Sequence, residues 1–219
     1  MSGVFADRTE AGRLLARRLS SQAWAPPLVV LALPRGGVPV ALEVARALHA
    51  PLDLLLVRKI GAPWQPELAV AAVVDGQPPQ LVIDEETRAM TGADADYIEK
   101  ARLRELREIE RRRHVYLHDR APVPVAGATV IVVDDGIATG TTMRAALKGL
   151  RQLTPKRLVV AVPVAPADTI AALAAEVDEV VCLEQPAFFH AIGNHYADFH
   201  QVPDDEVVAA LQAAEKLGP

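Results

Sequence analysis

The sequence predicts an α/β fold built on a mostly parallel β-sheet with helices on both faces. Short runs of Val, Leu and Ile recur along the chain without alternating polar residues, which is typical of strands that are buried on both sides. Stretches of helical periodicity separate many of these runs, and such alternation favours a parallel sheet. The predicted strands are residues 28–33, 52–57, 68–74, 129–133, 158–164 and 177–183.

Helical patterns fill several of the spaces between these strands. The predicted helices of the sheet layers are residues 38–49, 142–153 and 168–175. A last helix is predicted over residues 204–217, where aspartates can cap the N-terminus. Parallel sheets bind ligands beyond the carboxyl ends of their strands, where loops enter helices. We therefore expect the functional site just after Leu33, Val57 and Val133.

The 219 residues are expected to form a single domain, residues 1–219. Its core is predicted at about residues 28–183, with a helical insertion at about residues 84–125 and a small hood at about residues 185–200. Within the insertion, residues 94–113 are predicted to form a long charged helix. The narrow apolar stripe of this helix is predicted at Ile98, Leu103, Leu106 and Ile109.

Composition and charge narrow the function classes. The net charge of −5 gives no field that would attract nucleic acid or an anionic membrane, so we expect neither as a partner. The arginines of the insertion helix are interleaved with glutamates, which is typical of a solvated helix face. The chain has one cysteine, the residues after Met1 soon include charged side chains, and the apolar runs are strand-length. We therefore expect a cytoplasmic protein.

The strongest motif covers residues 129–143 and reads TVIVVDDGIATGTTM. A buried strand ends in two carboxylates, and a loop of Gly and Thr then leads directly into a helix. Backbone N–H groups of such a loop converge on an anion, and the helix N-terminus favours a phosphate there. Threonine hydroxyls can donate to the remaining phosphate oxygens. The predicted phosphate-binding residues are Gly136, Ile137, Ala138, Thr139, Gly140, Thr141 and Thr142.

The two carboxylates, Asp134 and Asp135, cannot serve that phosphate because like charges repel. They are suited to accept hydrogen bonds from the vicinal hydroxyls of a sugar and to face a bound Mg²⁺. They can also stabilise the positive charge of an oxocarbenium-like transition state. We predict that both are catalytic and that they contact Mg²⁺ indirectly, through metal-bound water or ribose hydroxyls. An Asp135→Asn variant is expected to slow the reaction and to keep the fold.

This segment closely resembles the motif with which type I phosphoribosyltransferases bind 5-phosphoribosyl-1-pyrophosphate (PRPP). The resemblance covers about residues 28–183 without the insertion, and it is closest to a bacterial group known only as predicted phosphoribosyltransferases. It implies transfer of the 5-phosphoribosyl group from PRPP to a nitrogenous acceptor, a nucleobase by preference, with release of pyrophosphate. It also implies Mg²⁺ as cofactor and a homodimer. The loop is not a nucleoside-triphosphate P-loop, because the lysine of GxxxxGK[ST] is missing.

A second loop follows the first strand. An arginine beside two glycines at a strand end can grip an anion with its guanidinium and the backbone together. In type I phosphoribosyltransferases a short loop at this place binds the pyrophosphate of PRPP, often through a strained peptide. The resemblance assigns that role to Pro34, Arg35, Gly36 and Gly37.

Two adjacent cations, Arg58 and Lys59, follow the second strand and suit a polyanionic ligand. Orotate and adenine phosphoribosyltransferases have a similar Arg-Lys pair ahead of a mobile loop that closes over the active site. The resemblance therefore implies that both cations receive the leaving pyrophosphate. It also suggests that residues 61–66, with Trp64, form a lid that excludes water.

The sequence does not identify the acceptor of the phosphoribosyl group. Hypoxanthine-guanine enzymes have an aspartate at the position of Ala138, so the resemblance gives a 6-oxopurine less support. In the predicted hood, Phe188, Phe189 or Tyr196 could stack on an aromatic ring or only anchor the tail. The alternative to an enzyme is a non-catalytic regulator of the same fold that binds PRPP or a nucleotide. A hydrolase or a pyrophosphate-forming enzyme that acts on the same sugar phosphate is a third interpretation.

Overall fold

The computed structural model describes residues 5–118 and 120–216. The strands in chain order are β1 (Leu28–Ala32), β2 (Leu52–Leu54), β3 (Val57–Ala62), β4 (Gln65–Val74), β5 (Gln80–Ile83), β6 (Thr129–Val133), β7 (Arg157–Val164) and β8 (Glu179–Glu184). The helices are α1 (Arg8–Leu19), α2 (Gly37–Leu48), α3 (Glu85–Thr91), α4 (Ala95–Leu117), α5 (Thr141–Gln152), α6 (Ala167–Ala174) and α7 (Asp204–Glu215). A short 3-10 helix covers Ile192–His195.

The main sheet has five parallel strands in the order β2-β1-β6-β7-β8. Successive side chains of a strand point to opposite faces. Ile131 and Val133 therefore pack into a core with α1, α2 and α7, whereas Val130 and Val132 pack into a second core with α5 and α6. Helices cover both faces of a mostly parallel sheet, and the predicted fold class is confirmed.

A second sheet, antiparallel and three-stranded, has the order β3-β4-β5. The prediction of one strand over residues 52–57 is wrong, because the chain changes sheets within this run. The Leu55 N–H donates to Ala32 in the first sheet, and the Leu56 carbonyl accepts from Asp75 beside the second. Both leucines are buried, so the apolar run continues through the change and conceals it. Strand β4 contains the predicted strand 68–74 but belongs to this second sheet.

The insertion forms α3 and α4, and most of the predicted stripe of α4 is correct. Ile98 and Ile109 are buried, and Leu106 is half-buried against the same core. The inclusion of Leu103 is wrong, because 44% of that residue is exposed. Glu105 is buried instead, since its carboxylate accepts a 2.9 Å hydrogen bond from Arg58 Nε on β3.

The two ends of the chain add α1 and α7 to one face of the main sheet. Helix α1 was not predicted. Its N-terminus is capped by Asp7, whose carboxylate accepts from the Glu10 N–H at 2.7 Å. Leu15 and Leu19 are on the buried face of the helix. Helix α7 begins where predicted, and the predicted end at residue 217 lies outside the described residues. Among the described helices, none combines the length and the apolar character needed to cross a membrane.

Candidate active site

The candidate site lies at the carboxyl ends of β1 and β6, which are neighbours in the main sheet. The last bond between them joins the Leu33 N–H to the Val133 carbonyl at 2.9 Å. The loop of residues 34–37 and the loop of residues 134–140 therefore leave the sheet side by side. Each continues into a helix, α2 and α5. The two loops predicted to bind pyrophosphate and phosphate are brought together.

The glycines of the first loop pack directly against the two aspartates. A Cβ atom on Gly36 would lie 2.1 Å from Asp135 Oδ2, and one on Gly37 would lie 2.9 Å from Asp134 Cα. No side chain fits at such distances, so glycine is required by the close approach of the loops. The Pro34–Arg35 peptide bond in the same loop is cis.

Asp134 faces the cleft between the loops. It is half-buried, and Oδ1 accepts a 2.9 Å hydrogen bond from the Asp135 N–H. Burial raises the pKa of the Asp134 carboxyl well above its ordinary value, and the neighbouring Asp135 carboxylate raises it further. A ligand that brings positive charge or hydroxyl donors to this carboxylate would therefore be stabilised.

Asp135 is buried and is held in place by contacts with Arg8 and Tyr196. Its Oδ2 accepts a 2.8 Å hydrogen bond from Arg8 Nε, and both side chains are about nine-tenths buried. Tyr196 donates its hydroxyl to the Asp135 carbonyl at 2.5 Å, and burial raises the pKa of that phenol. The Arg8 guanidinium also lies 3.9 Å from the ring centroid of Phe199. Sequence reasoning missed Arg8, since nothing in a charged N-terminal helix indicates a partner 127 residues away.

The phosphate loop divides into an inner and an outer part. Gly136 packs beneath Ile192, and the Ile137 N–H donates to Val164 at 3.0 Å while its side chain is buried. These two predicted residues are directed into the protein. In the remaining part, Ala138, Thr139 and Thr141 are exposed and Thr142 is half-buried, whereas Gly140 is buried. Gly140 has φ +75° at the start of α5, and the hydroxyls of Thr139 and Thr141 lie 3.2 Å apart.

A cleft of about 240 Å³ opens between the two loops. Its lining brings together the predicted residues Pro34, Arg58, Asp134 and Thr142. Arg112 of the insertion helix joins them, although the sequence favoured a solvated surface for this arginine-rich helix. The cleft thus combines two guanidinium groups, one carboxylate and a threonine at a helix N-terminus, which are groups that suit a phosphorylated, hydroxyl-bearing ligand.

A family profile described as phosphoribosyl transferase domain matches residues 7–198. The chain belongs to the phosphoribosyl transferase family. Provisionally named phosphoribosyl transferases from two Mycobacterium tuberculosis strains, CDC 1551 / Oshkosh and H37Rv, are 46% identical over 213 residues. The matches cover 97% of this chain but 47% of those proteins, so the chain spans about half the length of these relatives. The crystal structure of TT1426 from Thermus thermophilus is 44% identical with a TM-score of 0.83, covering 95% of this chain and 97% of that one.

Two of the cations predicted to bind pyrophosphate lie outside the cleft. Lys59 follows Arg58 on β3 and faces the other side of the strand, where it lines a groove with Arg144 and Lys148. Arg35 extends towards α7, and its Nη1 lies 3.4 Å from Asp204 Oδ1. Of the cations predicted to receive pyrophosphate, only Arg58 lines the cleft.

The predicted lid is a turn between two strands, whereas the predicted hood contacts the loop after β6. Residues 61–66 form the ends of β3 and β4 and the tight turn between them, where Trp64 Nε1 donates to the Thr91 carbonyl at 3.1 Å. Residues 185–200, the predicted hood, contact the loop after β6 through Tyr196 and Ile192. Tyr196 is buried beneath that loop, so it anchors the hood and cannot stack on a base. Phe189 stacks on His195 at 5.5 Å.

The Asp134 carboxylate fits an indirectly held Mg²⁺, whereas Asp135 is buried against Arg8 and does not line the cleft. The pKa of Asp134 is raised by burial and by Asp135, and a cation near this pair would offset both effects. Within residues 5–118 and 120–216, no cluster of three or more His, Cys, Asp or Glu side chains could hold a metal ion. The other ligands would be oxygens of substrate and water, which Mg²⁺ accepts readily.

Proposed function

We propose that this chain transfers the 5-phosphoribosyl group of PRPP to a nitrogenous acceptor, a nucleobase by preference, and releases pyrophosphate. One observation carries the proposal. The glycine loop after β1 and the acidic, threonine-rich loop after β6 meet at a single cleft. Pyrophosphate, ribose and 5′-phosphate follow one another in PRPP. The cleft brings two arginines, one carboxylate and one threonine hydroxyl together, and these are the groups that the three parts of PRPP require.

Each part of the site has a role in the proposed reaction. The N–H groups and hydroxyls of residues 138–142 bind the 5′-phosphate. Asp134 accepts hydrogen bonds from the ribose hydroxyls and stabilises positive charge at the anomeric carbon. The bond from that carbon to the pyrophosphate oxygen breaks, and a bond to the acceptor nitrogen forms while this nitrogen gives up a proton. Arg58 stabilises the pyrophosphate as it leaves. Asp134 would hold Mg²⁺ indirectly, and the metal would neutralise part of the charge that develops on the leaving group.

The roles of the two aspartates differ. Asp135 is 7% exposed and paired with Arg8, so we assign it to holding the loop in place. Its substitution by asparagine would leave the Arg8 charge buried without a partner, which is strongly destabilising. An Asp135→Asn variant therefore tests stability together with catalysis, contrary to the expectation from sequence. Asp134→Asn is the more specific test of catalysis.

The test is an assay of pyrophosphate release with PRPP, Mg²⁺ and a panel of purines, pyrimidines and simple amines. We expect release with at least one acceptor, and a loss of roughly 100-fold in kcat for Asp134→Asn. Asp96→Asn, an exposed aspartate in the first turn of α4, is the control and is expected to keep the wild-type rate. If wild-type protein binds PRPP and releases no pyrophosphate with any acceptor, the chain is a regulator instead. Failure to bind PRPP would contradict both functions.

A further inference from the structure

We propose that Arg112, on the insertion helix α4, binds the pyrophosphate group of PRPP together with Arg58. This inference rests on the proposed function and extends it, because it assigns a residue of the insertion to the active site. The observation behind it is the lining of the cleft. Arg112 reaches the same 240 Å³ space as Pro34, Arg58 and Asp134, although it belongs to an element outside the main sheet.

The position of α4 is fixed by contacts along its whole length. Near its start, the Tyr97 hydroxyl donates to the Gly61 carbonyl on β3 at 2.8 Å. In its middle, the buried Glu105 accepts from Arg58 at 2.9 Å. Near its end, the Tyr116 hydroxyl donates to Asp204 at 2.7 Å. A helix held at three levels presents its side chains in a preset geometry, which lowers the entropic cost of binding a ligand.

The hydrogen bonding of Arg112 leaves it able to bind an anion. Within the described part of the chain, its one hydrogen bond runs from Nε to Glu108 Oε1 at 2.8 Å. A guanidinium has five N–H donors, so the two Nη groups remain for phosphate oxygens. Glu108 also accepts two hydrogen bonds from Arg111, at 2.8 and 3.0 Å. The charge of Glu108 is therefore compensated even when Arg112 turns towards a ligand.

The charge of the cleft also favours this role. Among its lining residues, Arg58 and Arg112 are basic and Asp134 is acidic. Pyrophosphate carries several negative charges at neutral pH, and one arginine alone would leave most of them uncompensated. Arg35 and Lys59, the other cations predicted for this group, are directed elsewhere. Arg112 replaces them at this end of the cleft, and planar guanidinium groups suit bidentate binding of phosphate.

The test compares neighbouring arginines that share one carboxylate. Arg112→Gln removes the cleft charge, whereas Arg111→Gln removes a charge that also pairs with Glu108 but is 62% exposed and outside the cleft. The full chain is titrated calorimetrically with pyrophosphate and Mg²⁺, and separately with ribose 5-phosphate. We expect Arg112→Gln to weaken pyrophosphate binding about tenfold and Arg111→Gln to leave it unchanged. Both variants are expected to bind ribose 5-phosphate like the wild type, and Arg112→Lys to recover part of the loss.

Several outcomes would overturn the inference, and they separate it from the proposed function. Equal pyrophosphate affinity in Arg112→Gln and wild type would overturn the role of Arg112 alone. Equal losses in Arg112→Gln and Arg111→Gln would show a general charge effect and would also exclude a specific contact. If Arg112→Gln lost ribose 5-phosphate affinity as well, the side chain would act by shaping the cleft. A wild-type protein that binds neither ligand would contradict the proposed function itself.

Discussion

At the scale of single residues, the least expected contact of the site is the ion pair between Arg8 and Asp135. Its Nε–Oδ2 distance is 2.8 Å, and both side chains are about nine-tenths buried. The Arg8 Nη1 also donates to the His200 carbonyl at 2.8 Å. One side chain from the start of the chain thus ties the hood to the acidic loop. Tyr196, which donates to the Asp135 carbonyl, holds the same loop from a second direction.

The stability of the protein should depend strongly on this pair. We expect Arg8→Met to lower the free energy of unfolding by about 3 kcal/mol, because Asp135 would be left buried without its partner. Arg13→Met is the matched control on the same helix, since Arg13 pairs with Glu43 and its side chain is 63% exposed. The control should change stability by less than about 1 kcal/mol. Urea denaturation measures both values.

A double substitution checks the physical cause. If the loss comes from an unpaired buried charge, Arg8→Met combined with Asp135→Asn should be more stable than the sum of the two single changes predicts. Strictly additive losses, or equal losses for Arg8→Met and Arg13→Met, would exclude the ion pair as the cause.

At the scale of elements, the site depends on two loops that fit only without side chains between them. We expect Gly36→Ala to weaken PRPP binding by roughly tenfold or more, because a Cβ atom 2.1 Å from Asp135 Oδ2 forces one of the loops to move. Gly149→Ala on α5 is the control. Its Cβ would also be crowded, 2.6 Å from Val74 Cβ, but Gly149 lies in the C-terminal half of α5, whereas the phosphate loop lies at its start.

The control separates a local from a general effect of crowding. Gly149→Ala should lower the melting temperature and keep the PRPP affinity of the wild type. Isothermal titration calorimetry and thermal unfolding of both variants provide the measurements. Unchanged PRPP affinity in Gly36→Ala would show that the close approach of the loops has no part in binding.

Elements with strong local signals could be predicted from the sequence. Strand β6 has the predicted bounds, and α2, α5 and α6 differ from theirs by one residue at each end. The residues that directly follow β1 and β6 also allowed the glycine-rich and the acidic loop to be predicted. The partners of these loops could not be predicted, because Arg8 and Arg112 are brought to the site by tertiary packing and stand in no motif. The change of sheets at Leu55 was hidden for a related reason, since both sheets bury apolar side chains alike.

At the scale of the whole molecule, the two sheets share one core. The buried cluster beside α1, α2 and α7 contains Val30 of β1 as well as Ile60 and Val70 of the second sheet. Only two residues separate β2 from β3. Gly149 of α5 lies directly against Val74, and α4 is bound to α7 through Tyr116 and Asp204. These connections favour one cooperative folding unit over two.

The two tryptophans can show whether the two sheets unfold in one transition, because each tryptophan lies beside one sheet. Trp24 lies beside the main sheet, where its Nε1 donates to Leu19 at 2.9 Å and the Arg157 guanidinium lies 5.0 Å from its ring centroid. Trp64 lies at the turn of the second sheet. We expect Trp24→Phe and Trp64→Phe, which leave one tryptophan each, to give fluorescence transitions in urea that coincide with their own circular dichroism transitions.

A matched comparison within each variant removes the effect of the substitution on stability. The fluorescence of Trp64 in the Trp24→Phe protein and the far-ultraviolet circular dichroism of the same sample should have one midpoint and one slope. A lower midpoint for Trp64 fluorescence would mean that the second sheet and the insertion unfold before the main sheet. Arg58 and Arg112 would then lie on a separately folding unit, and the cleft would be lost while the phosphate loop of β6 and α5 remained.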